Sequence, residues 1–238
     1  MPRRAKIYVS KLHLVVTIFV IIVPFLFLLI FSIIANLSTG SLFRDVLISA
    51  ARIIIAYLIA AVLAWLSAVA FYRGRRAVIA LPVYDVLQSF PTFAALPLAV
   101  HFWGQNNFTV IFFLVITIIW PIFFSTLSSL KLIKRDWQEA AEISGLHGFN
   151  YLRQFLLPVS IPGLITGSII GIGEGWEALV ATEIIIGMKT GLGNFFQSHV
   201  TSGAITTFGI LGFLLLIFMI NKLVWIPLLD RSHRTMEE

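Results

Sequence analysis

Residues 12–34 read LHLVVTIFVIIVPFLFLLIFSII, without an Asp, Glu, Lys or Arg among them. About 20 predominantly apolar residues carry a helix across the ~30 Å hydrocarbon core of a bilayer at 1.5 Å per residue. The stretch is longer than the apolar centre of a signal peptide, and no clear small-x-small cleavage site follows it, so it reads as a retained first helix. Five further apolar runs follow at 46–72, 78–103, 108–130, 160–187 and 205–229. The second, fourth and sixth runs are uninterrupted, whereas Pro, Gly and charged residues break the third and fifth. None shows the short alternation of barrel strands, which leaves the helix as the spanning form. The expectation is an all-α membrane protein of about six transmembrane helices.

Composition supports this reading. Of the 238 residues, 59% are hydrophobic and 12% charged, against roughly 45–50% and ~25% in soluble domains. One soluble core of this size could not hide that much apolar surface, 21 Phe included, so the surplus must face lipid. The absence of cysteine excludes disulfides, Cys-ligated zinc and a thiol nucleophile. The net charge of +6 invites a nucleic-acid reading. Its distribution opposes one, because the basic residues cluster between apolar runs, as in cytoplasmic loops. One side collects Arg3, Arg4, Lys6 and Lys11, then Arg73, Arg75 and Arg76, then Lys131, Lys134, Arg135 and Arg153, then Arg231 and Arg234; the other has little beyond Arg44 and Lys189. Both termini are therefore expected in the cytoplasm, which requires an even number of spans.

The longest hydrophilic interval, 131–162, reads as structured. Asp136 is placed to cap a short helix through Ile143, and Gly145 to end it in a left-handed turn. A second short helix is expected from about Phe149 to Leu157, with Pro158 and Pro162 stopping it and redirecting the chain into the fifth span. By shape alone, this is either a knob another protein could grip or an amphipathic loop lying on the membrane.

The spacing Glu139-Ala140-Ala141, three residues, Gly145, nine residues, Phe155-Leu156-Leu157-Pro158 closely resembles the EAA signature of permease subunits of binding-protein-dependent ABC importers. Phe155 stands where that signature has Ile. Pro82-Val83-Tyr84-Asp85 through Ser89-Phe90-Pro91 to Leu96-Pro97-Leu98-Ala99 looks like the third span of nitrate/sulfonate/taurine-type permeases. Gly171-Ile172-Gly173-Glu174-Gly175-Trp176 with Val180-Ala181-Thr182-Glu183 looks like their fifth, and Gly191-Leu192-Gly193 like the glycine turn after it. The resemblance implies a type I ABC importer permease-like bundle with a cytoplasmic EAA coupling loop. Its divisions would be an N-terminal cytoplasmic segment and first helix (1–44), a permease core of five helices (45–230, with the coupling loop at 131–162) and a cytoplasmic tail (231–238). Carried over by position, Glu139, Ala140, Ala141 and Gly145 would contact the ATPase, with Leu157 and Pro158 fixing the second helix. The implied partners are a second permease subunit, the same or different, two cytoplasmic ABC ATPase subunits, an extracytoplasmic solute-binding protein and membrane lipid, with no nucleic acid. The chain would be a multi-pass protein of the cell membrane and not itself an enzyme. It lacks a Gly-x-x-x-x-Gly-Lys-Ser/Thr phosphate loop, since Gly187-Met188-Lys189-Thr190 is without the required glycines. It would hold no cofactor of its own, ATP and magnesium being bound by the partner.

Within the apparent spans lie Asp85, Glu174, Glu177, Glu183 and Arg52, together with Lys222, which can snorkel. Ionisable groups at depth cost at least ~2.5–3.5 kcal/mol each on insertion scales, so they face a cavity or a partner. As a translocation path, the acids would suit a zwitterion, a cation or a neutral heterocycle rather than the sulfonate- or nitrate-like anion of the subfamily. Where that subfamily would have a basic residue, this chain has Glu174. As structure, some of the acids would pair with Arg52 or bond backbone freed where the helix unwinds at Gly171, Gly173 and Gly175. Glu183 matches an acidic position of the subfamily and leans to the structural role. Glu174 and Glu177 share a helix face and lean to the path. A proton-coupled secondary transporter would also use such acids but leaves the EAA loop without a purpose. An intramembrane enzyme would need a nucleophile–base pair or metal cluster, and the five histidines are scattered.

Overall fold

The computed structural model describes residues 3–229, and the side chains of 16–229 apart from positions 76 and 79. The expected tail at 231–238, with Arg231 and Arg234, lies outside the described residues. The described chain is helical throughout, with no strand among the described residues. The elements are α1 (Arg3–Ile34), α2 (Thr39–Phe71), α3 (Gly74–Gln88), α4 (Thr92–Trp103), α5 (Asn107–Lys131), α6 (Arg135–Ile143), α7 (Gly148–Tyr151), α8 (Leu157–Ile186), α9 (Leu192–Ser198) and α10 (Gly203–Ile220). Five segments are long and apolar enough to cross a membrane, or six if the bent pair formed by α3 and α4 counts as one.

That pair revises the reading of 78–103 as one helix. α3 ends at Gln88, α4 starts at Thr92, and the two are bent by 82°. Pro91 explains the break: it disfavours helical backbone at Phe90 and supplies no N–H to continue the ladder. The fifth run departs from expectation in the opposite sense. The chain runs as one helical segment from Gly148 to Ile186, so Pro158 and Pro162 neither stop nor redirect it. A π-helical turn over Leu152–Leu156, in which the Leu157 N–H reaches back to Leu152 O, leads into α8 and places Pro158 in its first turn. The widened turn relieves the clash of the Pro158 ring with the preceding carbonyls, and an early-turn proline forfeits little hydrogen bonding.

α5 is the central helix, packed between α2 and α8. Both neighbours present small residues every fourth position, which lines them along one helix face. On α2 these are Ala56, Ala60, Ala64 and Ala68, all fully buried. On α8 they are Gly163, Gly167, Gly171 and Gly175. A Cβ at Gly167 would lie 2.6 Å from Ile122 Cα, and one at Gly163 would lie 2.5 Å from Ser125 O. Backbones this close yield the dispersion contact that drives helix association where lipid removes the hydrophobic drive. The glycines expected to unwind α8 instead pack it, and Gly173, off this stripe, faces open space. α1 lies on the outside of the bundle, mainly against α10.

Candidate functional site

Three features carry chemistry: the 131–162 loop, a buried ion pair and a polar groove. In the loop, Lys134 rather than Asp136 occupies the N-cap of α6, and Asp136 sits in the first turn, where its charge complements the helix dipole. α6 closes as expected at Gly145 (φ +74°): Gly145 N–H donates to Glu142 O at 3.0 Å and Leu146 N–H to Ala141 O at 3.1 Å. This pair of bonds is the Schellman closure, which favours glycine at its left-handed position. Nothing lies within 4 Å of a Cβ at Gly145, so backbone conformation rather than space selects it. Glu139 is exposed and accepts a hydrogen bond from Arg135 Nε at 2.7 Å. Ala140 is exposed, Ala141 is buried, and Leu157 and Pro158 are exposed. Sequence reasoning passed over Ile143 and Phe149, which are 87% and 72% exposed. Their signal was legible as large apolar residues in the longest hydrophilic interval.

The ion pair joins Arg52 of α2 to Glu183 of α8, at 4% and 0% exposure. The Glu183 carboxylate accepts from Arg52 Nη1, from Ser49 Oγ at 2.8 Å and from the Gly193 N–H at 2.8 Å. Arg52 also donates to Asn107 Oδ1 (2.9 Å), Thr190 O (2.9 Å) and Thr190 Oγ1 (3.2 Å). Asp45 accepts from the Gly191 N–H at 2.9 Å, and Ser49 Oγ accepts from the Leu192 N–H at 2.8 Å. The cluster thus clamps the 187–193 turn onto α2. A Cβ at Gly191 would meet the Glu183 carboxylate at 2.5 Å, so the turn must be glycine for the backbone to reach the charge. Asp45, Ser49, Asn107 and Thr190 were not singled out from sequence. The first two could have been: with Arg52 and Ala56 they form a buried stripe at three- and four-residue spacing.

Glu174 and Glu177 are exposed on α8, away from this cluster. Glu174 lies nine residues before Glu183, about 14 Å along the helix at 1.5 Å per residue. It lines a groove of about 400 Å³ with Gln88 of α3, Trp120, Pro121, Phe124 and Ser125 of α5, and Ile170 of α8. Asp85 is exposed and accepts from Gln88 Nε2 at 2.7 Å, which ties it to the groove's rim. Of the proposed path residues, the structure therefore brings Arg52 and Glu183 together in one buried cluster, bonds Asp85 to Gln88, and sets Glu174 in the groove that Gln88 also lines. Gln88, Trp120 and Ser125 carried no signal in the sequence, because polar and aromatic residues on a span look alike whichever side they face.

The described residues form a helical bundle with five or six candidate membrane spans, a bent pair in the third run and a loop helix closed at Gly145. Residues 57–233 match the family of binding-protein-dependent transport system inner membrane components, and the chain belongs to that family. It is similar to the nitrate import permease protein of Leptolyngbya laminosa, with 33% identity over 141 residues, 56% of this chain and 50% of the relative. It is also similar to the bicarbonate transport system permease protein of Synechococcus elongatus (32% over 114 residues, 48% and 41%) and to the taurine transport system permease protein of Escherichia coli (30% over 140 residues, 56% and 51%). The chain spans about half the length of these relatives. The expected relation to nitrate- and taurine-type permeases and the helical permease fold stand on these matches.

Proposed function

We propose that this chain is the membrane-spanning subunit of an ATP-driven importer for a small solute. It forms the translocation path for solute delivered by an extracytoplasmic binding protein, and it couples to a cytoplasmic ATPase through α6 and α7. The observation that carries the reading is the coupling loop itself. Its EAA spacing is matched by a helix closed at a left-handed Gly145, with Ile143 and Phe149 presented bare beside it. Large exposed apolar side chains in a basic, hydrophilic loop suit a protein groove better than water. The loop belongs in the cytoplasm together with both chain termini, by the distribution of Lys and Arg. The ATP site belongs to the partner, two copies of which act on a pair of permease subunits. The path runs along α3, α5 and α8, where Glu174 and its groove lie; the Arg52–Glu183 cluster holds the wall.

The test is co-purification of the ATPase with the wild-type permease and with Gly145→Asp, the latter first checked for membrane insertion. A side chain at φ +74° strains the closure by roughly 1–2 kcal/mol, and the new carboxylate adds charge at the docking face. The expected result is association in wild type and its loss in the variant, with uptake that survives an uncoupler but not removal of the ATPase. A wild-type permease that never retains an ATPase, and whose uptake collapses with the proton gradient, would make the chain a proton-coupled transporter.

A further inference from the structure

We infer that the groove beside Glu174 receives a planar, nitrogen-bearing cation or a ring with outward N–H donors, and excludes simple anions. The inference deepens the permease reading and rests on it for the groove's place on the path. Four observations converge. Among the described residues lining the groove, Glu174 supplies the one formal charge, and no Lys or Arg joins it. Gln88 donates one amide N–H to Asp85 at 2.7 Å, which holds a second carboxylate at the groove's rim. Gln88 is also the last residue of α3, and the carbonyl end of a helix carries partial negative charge that favours cations. No residue of the first turn of α4, with its opposite polarity, lines the groove. Half-helices broken inside a membrane use their carbonyl ends toward cations in this way.

The walls set the shape. Trp120, Pro121 and Phe124 of α5 give flat apolar surface, and Trp120 is steadied by Tyr84, whose ring centre lies 6.0 Å away in an edge-to-face arrangement. An indole face attracts a cation through its quadrupole and stacks on a flat ring. A carboxylate and an aromatic wall around about 400 Å³ therefore select charge and flatness together. Nitrate, bicarbonate or a sulfonate would meet Glu174 as a like charge, with no basic residue to offset the repulsion. In this respect the groove differs from what the names of the relatives suggest.

The measurement is equilibrium dialysis of 4-aminopyridine, a flat cation at neutral pH, and of benzenesulfonate, its anionic counterpart in size. Both are run against the purified permease in lipid nanodiscs, with and without the ATPase. The expected result is saturable binding of 4-aminopyridine, weakened about tenfold by Glu174→Gln and largely retained in Glu174→Asp, with no saturable binding of benzenesulfonate. Equal binding of the two probes, no binding of either, or an unchanged affinity in Glu174→Gln overturns the inference. Because the permease alone is dialysed as well, failure of the ATPase to assemble strikes the coupling reading and leaves this measurement intact. A complex that assembles but ignores 4-aminopyridine strikes the substrate class alone.

Discussion

Two carboxylates on α8, Glu174 and Glu183, are the same residue type on the same helix and lie in opposite physical situations. Glu183 is fully buried and saturated: a guanidinium, a serine hydroxyl and a backbone N–H all donate to it. Glu174 is exposed in an open groove, and among the described residues no hydrogen bond or ion pair engages its carboxylate. A charge at membrane depth is tolerable when paired or when it faces a cavity, and the two residues realise one alternative each. The difference separates a group that holds the fold from one left free to act on something else. It also explains why the acids of this chain cannot be read as one class.

The comparison breaks most readily at Glu183. Glu183→Ala strands the Arg52 guanidinium without its counter-charge, and losing one partner of a buried pair costs about 3–5 kcal/mol. The detergent-solubilised variant is expected to lose its monodisperse elution peak or to melt far below wild type. If it melts with wild type, the clamp on the 187–193 turn is not what holds α8 to α2.

A smaller effect is expected at the glycine stripe. Gly167→Val drives side-chain atoms into the α5 backbone, where even a Cβ would lie 2.6 Å from Ile122 Cα, and overpacking of this kind costs about 1–3 kcal/mol. Gly173→Ala, where nothing lies within 4 Å, is the control and should match or slightly exceed wild-type stability. Equal melting of the two variants would mean that α8 and α5 do not pack along this stripe.

The smallest effect on stability, and the sharpest on function, belongs to Glu174. Glu174→Gln should leave the melting temperature close to wild type, within about 0.5 kcal/mol as for exposed substitutions, while uptake by the reconstituted importer falls. A variant that unfolds like Glu183→Ala would erase the distinction between the two carboxylates.

Much of this was legible in the chain. The apolar runs gave the spans, and the 131–162 interval read as a structured loop with a short helix ended at Gly145. Gly145 was readable as a left-handed closure because that conformation is a local property of one residue. The errors came where a local rule met its context. Pro158 and Pro162 read as breakers, yet a π-helical turn accommodates Pro158 and α8 runs on through Pro162. Gly171 and Gly175 read as points of unwinding, yet they are where α5 approaches. Pro91, one of several prolines in the third run, turned out to be the one that breaks it.

What the sequence determined by itself, then, was whatever depends on hydrophobic length and on the spacing of near neighbours: helices, spans, the loop and its closure. What only the tertiary structure decided was which charges meet. Arg52 and Glu183 stand 131 residues apart, and Gln88, Trp120 and Glu174 come from three different helices. Hydrophobic periodicity says which residues are apolar, but in a bilayer both lipid and protein accept apolar surface. The rotation of each helix is therefore fixed by packing and polar pairing rather than by hydrophobicity, and that rotation is what sends one glutamate to a guanidinium and the other to the groove.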